Sequence, residues 1–511
     1  MGVGKYLKLK SLLSEKIVLV LLIFLVAFAF RFQNLGQMGQ TWDEDAYIVD
    51  GYNLINLVGK ADFQNPKWYS FPDHPPLAKY FYGITAHFDQ DGILKNGRPS
   101  FRFDLNASRT LSALFGALSV LLLTLFGWRF FSKEVGILSG LILCFIPIYV
   151  GMTQLVTLES PIVLGFIASI YAFLLLLERP TNRKILLVSI ILGATISIKI
   201  TNLLLFPILL LSLIFWHKTQ GKQMEKQKVL KILLVFPSSL LFFFLLWPAL
   251  WFHPAETIHN MLSIRGTVSK VVPLFMGKYQ QAPVYYYAVY FFLTTPLLLI
   301  GALIAGLKSI FQKPNYIYLT VVFWFLIPFL LSFYGLKQGG IRYIIEIYPA
   351  LAIISALGIK FLATKFKEYG LIVLYFLIPA YLFVSCLLIS PYYLNYFNLL
   401  AGGTMGVYQN RSFELESWGE GQREAVVYLI RNATRGSTVG VVVMPAYLLP
   451  PVDGLTFEFY NPKKSYDYLI VNYLALINAK SSYTAVPKDY ELVYTVEAQG
   501  APIVEVFKTK N

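Results

Sequence analysis

Residues 17–47 read IVLVLLIFLVAFAFRFQNLGQMGQTWDEDAY: an apolar run from Ile17 to Phe30, a polar stretch, then three adjacent acids, Asp43, Glu44 and Asp45. Lys5, Lys8, Lys10 and Lys16 precede the run. A basic start before an apolar stretch is also the form of a secretory signal. The residues around its end, AFAFRFQNLGQ, lack a convincing small-x-small cleavage site, so the run reads as a retained first span with a cytoplasmic amino terminus. Repetition of this pattern along the chain decides the fold.

Taking ~20 residues per helix, segments of spanning length lie near 17–33, 107–131, 135–153, 160–178, 184–199, 201–216, 230–251, 284–310, 316–334, 341–361 and 369–390, about eleven in all. Lys199 and Asn202 interrupt the fifth and sixth, which read as one bent helix or two short ones. Composition agrees with this picture. Of 511 residues, 56% are hydrophobic and only 14% charged, where a soluble domain carries roughly a quarter charged residues. A shortfall of that size means surface facing lipid rather than a larger core.

The net charge of +15 would suit nucleic acid if it formed a basic face interleaved with aromatics on a soluble segment. Instead the cations gather on alternate connections: Arg129 and Lys133, Arg179 to Lys184, Lys218 to Lys231, Lys308 and Lys313, and Lys360 to Lys367. Those connections are cytoplasmic by the positive-inside rule. The expected partner is therefore the lipid bilayer, with no nucleic acid. The other side receives the 34–106 loop, the turn at Glu159, the 252–283 loop, the Lys337–Arg342 turn and the carboxy terminus. Cys144 and Cys386 lie in apolar runs and build no disulfide framework or thiolate metal site.

The tail is polar enough to be soluble. It has strand-like runs at Thr438–Met444, Tyr466–Tyr473, Leu492–Glu497 and Ile503–Lys508, a helical segment at Glu420–Asn432, and a hairpin signal at Gln499-Gly500. The expected fold class is an all-α polytopic protein of the cell membrane with a small extracytoplasmic α/β domain. Residues 1–390 would form the transmembrane domain, with 34–106 as its first external loop, and residues 391–511 the soluble one.

Charges that chemistry could use collect at the external face. His74-Pro75-Pro76 fixes an extended lead into a helix over Leu77 to Gly83, with Lys79 one turn in. Arg109 opens the second span against the positive-inside trend, Glu159 lies in a short external turn, Lys199 interrupts the fifth span, and Arg342 follows Gly339-Gly340. Singly, such cations are more often snorkelling anchors, and the Asp43-Glu44-Asp45 cluster reads equally as a solvated loop or a cap for a helix starting near Ala46. Together they give the convergence that an anionic lipid headgroup requires.

Asp43-Glu44 after the first span, His74-Pro75-Pro76-Leu77-Ala78-Lys79, the Arg109 run ending in Leu114-Phe115-Gly116, and Leu158-Glu159-Ser160-Pro161 resemble the dolichyl-phosphate-mannose protein mannosyltransferase family. The bacterial aminoarabinose lipid A transferases are more distant relatives, and both groups are membrane glycosyltransferases of the GT-C type. The resemblance covers roughly 17–220 and extends through Arg342-Tyr343…Tyr348-Pro349. Ser390–Asn398 and Trp418-Gly419-Glu420-Gly421 are similar to prokaryotic members of the broader group. It implies inverting transfer of a sugar, mannose or related, from a polyprenyl-phosphate donor to a hydroxyl on a protein or glycolipid acceptor. Asp43 would be the general base and Glu44 would orient the site. Lys79, Arg109 and Lys199 would hold the lipid phosphate, with His74, Glu159 and Arg342 as further substrate contacts. Glu159 departs from the Asp usual at its place. The short 252–283 stretch stands where eukaryotic members insert a sugar-binding module. No cofactor is expected; the acidic cluster has the oxygen donors of a hard divalent ion, but the resemblance implies no metal.

Two other readings stand beside the transferase. A transporter or flippase of lipid-linked sugars would show internal repeats and a site near the bilayer midplane. A membrane-anchored assembly protein would place its function in 391–511, where Trp418-Gly419-Glu420-Gly421 is either a sugar-stacking element or a folded turn.

Overall fold

Lipid offers no partners for backbone N–H and C=O groups, so apolar segments close their own hydrogen bonds as helices. The computed structural model describes residues 3–33, 35–37, 39–70, 73–88, 105–220, 226–268, 272–335, 339–365, 368–415, 418–442, 449, 452–473 and 486–510. Helix α1 (Val3–Phe32) leads into α2 (Glu44–Gly59) and α3 (Leu77–Ala86). Then come α4 (Asn106–Phe130), α5 (Lys133–Cys144), α6 (Pro147–Met152), α7 (Glu159–Glu178), α8 (Asn182–Ile196) and α9 (Leu205–Gln220). Next follow α10 (Lys226–Leu233), α11 (Val235–Leu245), α12 (Ala249–Phe252) and α13 (Pro254–Val268). The last apolar helices are α14 (Tyr286–Thr294), α15 (Leu297–Gln312), α16 (Tyr316–Leu331), α17 (Tyr348–Ala363) and α18 (Glu368–Ile389).

Among the described residues, five helices are long and apolar enough to cross a bilayer, and α14 with α15 would make a sixth bent by 111°. Several of the expected segments are broken rather than continuous. The 135–153 segment breaks between α5 and α6, just before Pro147, and 284–310 breaks at Thr295-Pro296. Proline lacks the N–H that would carry a helix through such points. Between the fifth and sixth spans the chain does form two helices. Lys199 is extended (φ −152°, ψ 132°), and a 3₁₀ turn, Ile200–Leu204, precedes α9.

The described part of the 34–106 segment is largely helical. Helices α2 and α3 cross where Gly51 meets the backbone of Lys79 and Gly83, an approach that a Cβ at either glycine would block. The amide of Leu77 donates to Ser197 O at 3.0 Å, which ties the start of α3 to the break that carries Lys199. Residues 89–104 lie outside the described residues.

Beyond α18, helices α19 (Gly403–Asn410) and α20 (Gln422–Asn432) accompany a sheet. A short hairpin, β1 (Leu274–Phe275) with β2 (Lys278–Tyr279), lies in the 252–283 loop. The larger sheet comprises β3 (Ser437–Val442), β4 (Leu455–Phe459), β5 (Tyr468–Asn472), β6 (Tyr490–Ala498) and β7 (Ala501–Thr509), in the order β4-β3-β5-β7-β6. Strand β3 runs parallel to β4 and β5, and β7 is antiparallel to β5 and β6. Gln499 (φ 51°) and Gly500 (φ 79°) join β6 to β7, the left-handed pair that a two-residue hairpin needs. Strand β4 was not anticipated. Residues 443–444 of the expected Thr438–Met444 run lie outside the described residues. The sheet's Val439, Val504 and Val506 share one continuous apolar core with the helices.

Candidate active site

At the start of α2 the three acids part ways. Asp43 occupies the N-cap position in a left-handed conformation (φ 71°, ψ −22°), yet its side chain caps nothing. Such a backbone costs a non-glycine residue on the order of 1 kcal/mol. Glu44 turns inward and is fully buried. It accepts hydrogen bonds from Thr41 N and Oγ1 at 2.9 Å and from Val156 N at 3.0 Å. It also accepts from Arg109 Nε at 2.9 Å and Nη2 at 2.6 Å. Arg109 in turn donates to the carbonyls of Leu35 and Gly39. Loop, α4 and the turn before α7 are thereby stapled together.

Lys79 is likewise consumed. It is buried and paired with Asp73, and with Asp50 at 2.9 Å. Burial favours its neutral form, but Asp73 and then Asp50 outweigh that and hold its pKa above the ordinary lysine value. Burial raises Asp73 too, but Lys79 and then His74 overcome it, leaving Asp73 below the usual carboxylate range.

A cavity of about 880 Å³ opens in front of these pairs. Its lining combines polar Asp43, Asp73, His74, Glu159, Lys199, Arg342, Tyr343 and Glu346 with apolar Leu203, Leu204, Pro207, Pro328 and Leu331, from the turn before α9 and from α9 and α16. Arg342 faces Asp43 Oδ2 through Nη1 at 3.4 Å and Nη2 at 3.5 Å. Its guanidinium also lies 3.8 Å from the Trp418 ring centre and 4.7 Å from that of Tyr343. Gly339 (φ 61°) makes room for it: a Cβ there would come within 2.8 Å of Arg342 Nε. Lys199 Nζ sits over the other ring contact of the site, 4.8 Å from the Tyr343 centre. Among the described residues neither Lys199 nor Glu159 forms an ion pair. Burial raises the Asp43 pKa, Arg342 pulls it back, and Glu159 adds to the rise; it ends above the ordinary carboxylate range.

Of the residues singled out in the sequence, the cavity brings together Asp43, His74, Glu159, Lys199 and Arg342. Glu44, Lys79 and Arg109 stand behind it. The expectation that Lys79 and Arg109 meet a phosphate needs correcting, because their donors are already spent on Asp50, Asp73, Glu44 and backbone carbonyls. Nor do the three adjacent acids converge on one point, since Glu44 turns away to Arg109. Sequence reasoning missed Asp73 and Glu346, and gave Tyr343 no role beyond its place in the Arg342-Tyr343 pattern. Glu346 carried a usable signal as an ionisable residue within an apolar span. Asp73 showed none until its contact with Lys79 was visible.

Broken apolar helices around a cavity lined by polar and apolar residues, with an α/β segment following them, describe a multi-pass membrane protein. Residues 21–264 match the sequence profile of the dolichyl-phosphate-mannose-protein mannosyltransferase family, which the chain resembles. No curated protein matches by sequence. By structure the chain is similar to ArnT from Cupriavidus metallidurans bound to undecaprenyl phosphate, at 14% identity over 96% of this chain and 97% of that one, with a TM-score of 0.51. It is also similar to the apo oligosaccharyltransferase of Archaeoglobus fulgidus, at 13% identity over 85% and 63%, with a TM-score of 0.49.

Proposed function

We propose that this chain transfers a sugar, mannose or related, from a polyprenyl-phosphate carrier to an acceptor hydroxyl on a protein or glycolipid, with inversion. The observation that carries the reading is the mixed lining of the cavity. It joins Lys199 and Arg342 to four carboxylates, Asp43, Asp73, Glu159 and Glu346, and to apolar residues of α9 and α16; a phosphate on a long hydrocarbon chain needs the cations and the apolar surface, and its acceptor a carboxylate.

In this reading the acceptor oxygen attacks the anomeric carbon as the bond to the phosphate oxygen breaks. The phosphate leaves with the electron pair, and Asp43 takes the hydroxyl proton. Lys199 and Arg342 stabilise the charge that gathers on the departing phosphate in a partly dry site. General-base help of this kind contributes ~10²–10⁴-fold. Glu44 and Arg109 hold the Asp43 loop, and Lys79 holds Asp73 and His74 at the cavity wall. His74 and Glu159 contact the sugar or its acceptor. The topology we propose keeps about eleven spans, a cytoplasmic amino terminus, a transmembrane unit over 1–390 and an extracytoplasmic domain over 391–511.

The test is to incubate the purified protein with a panel of polyprenyl-phosphate sugars and hydroxyl acceptors and to measure free polyprenyl phosphate. Release that depends on acceptor and is lost in Asp43→Asn supports the reading. Movement of intact donor across proteoliposomes without release would replace it with transport.

A further inference from the structure

The carboxy-terminal segment meets the cavity-lining Arg342 through the side chain of Trp418. Trp418 is buried and covers one face of the Arg342 guanidinium at 3.8 Å. Its carbonyl accepts from the amide of Trp42 at 3.0 Å, the residue immediately before Asp43. Two residues on, buried Glu420 accepts from Asn395 Nδ2 at 2.6 Å. The turn is thus tied at once to the loop that carries Asp43 and to the segment following α18. Arg342 needs such a brace. Its Nε is buried with no hydrogen-bond partner among the described residues, and its bonds to Asp43 are long, at 3.4 and 3.5 Å. Its Nη2 donates to the Tyr343 hydroxyl at 3.0 Å, and the Trp418 and Tyr343 rings pack against the guanidinium, an interaction that strengthens when desolvated.

We infer that Trp418 is a positioning residue: it fixes the Arg342 guanidinium toward the cavity, so that the carboxy-terminal segment sets the affinity for the lipid phosphate without touching it. This rests on reading the cavity as a lipid-phosphate site. Trp418 owes its place to the Trp418-Gly419-Glu420-Gly421 turn, so the ring stacks on the protein's own arginine rather than on a sugar.

The experiment uses the full chain and undecaprenyl phosphate as probe, with affinity measured for wild type, Trp418→Ala, Arg342→Gln and the double variant. Trp418→Ala should weaken binding about tenfold, and the double variant should bind no more weakly than Arg342→Gln alone, because both changes remove one interaction. Trp418→Phe, which keeps a ring face, should stay within about threefold of wild type. Trp418→Leu fills the space without a π face and should behave like Trp418→Ala, which keeps the test open if the alanine variant does not fold. Additive losses in the double variant, or a leucine variant equal to the phenylalanine one, would overturn the inference while leaving the transferase reading intact. Absence of undecaprenyl phosphate binding in the wild type would sink both.

Discussion

Asp43 and Glu44 are neighbours in sequence, each is paired with an arginine, and they do opposite things. The Glu44–Arg109 pair is sealed, with side chains 0% and 1% exposed and every oxygen in use. The Asp43–Arg342 pair is loose, with side chains 41% and 13% exposed. A saturated pair buys rigidity and has nothing left to offer a substrate. An unsaturated pair in a cavity costs stability and keeps its valences for chemistry. Which neighbour is functional follows from how many partners each already has.

The largest effect should separate the two acids. Asp43→Asn should lower turnover ~10²–10⁴-fold, measured as polyprenyl phosphate release. The same variant should raise the thermal midpoint at neutral pH. The sign follows from its raised pKa: the folded state holds this proton more tightly than the unfolded one. Stability is therefore lost as pH rises from the unfolded toward the folded pKa, and Asn removes that loss. A lower midpoint in Asp43→Asn would erase the contrast with Glu44.

Arg109→Met should cost about 3–5 kcal/mol, because it leaves Glu44 buried without its cation. The readout is thermal midpoint and yield of monodisperse protein. A well-folded Arg109→Met variant with impaired donor affinity alone would return Arg109 to the phosphate. Smaller again is Lys199→Met, expected to raise the donor KM about tenfold at an unchanged thermal midpoint; an unchanged KM would remove Lys199 from the donor site.

The pH profile sharpens the loose pair further. As a base, Asp43 works only when ionised, so kcat/KM should fall as pH drops through a value above the ordinary carboxylate range. Arg342→Gln removes the main influence holding that value down, and should move the acid limb upward in pH, readable in the residual activity. A limb that stays put would deny the coupling. The smallest effect is reserved for Asp50→Asn. Its carboxylate is 45% exposed, so losing its bond to Lys79 should change stability by no more than about 1 kcal/mol, measured by thermal midpoint; a larger drop would make Asp50 part of the sealed framework.

Much of the fold was legible because apolar runs and basic connections report the bilayer directly. The helix at Leu77, the break at Lys199 and the hairpin at Gln499-Gly500 all followed from local chemistry. Strand β4 carried a signal that went unread, since LTFEF alternates apolar and polar residues as a half-buried strand does. What escaped otherwise was long-range. At the site, the sequence could collect the charged residues at one face but could not say which were already spent. Lys79 and Arg109 look like Lys199 and Arg342 until Asp50, Asp73 and Glu44 are seen against them.

The apolar residues that α9 and α16 give to the cavity lining have a consequence for how the protein is supplied. A carrier that keeps its tail among those helices never passes through water, so its relevant abundance is a surface density counted per lipid rather than per litre. Diluting the membrane with inert lipid should then slow the reaction, while changing the buffer volume should not.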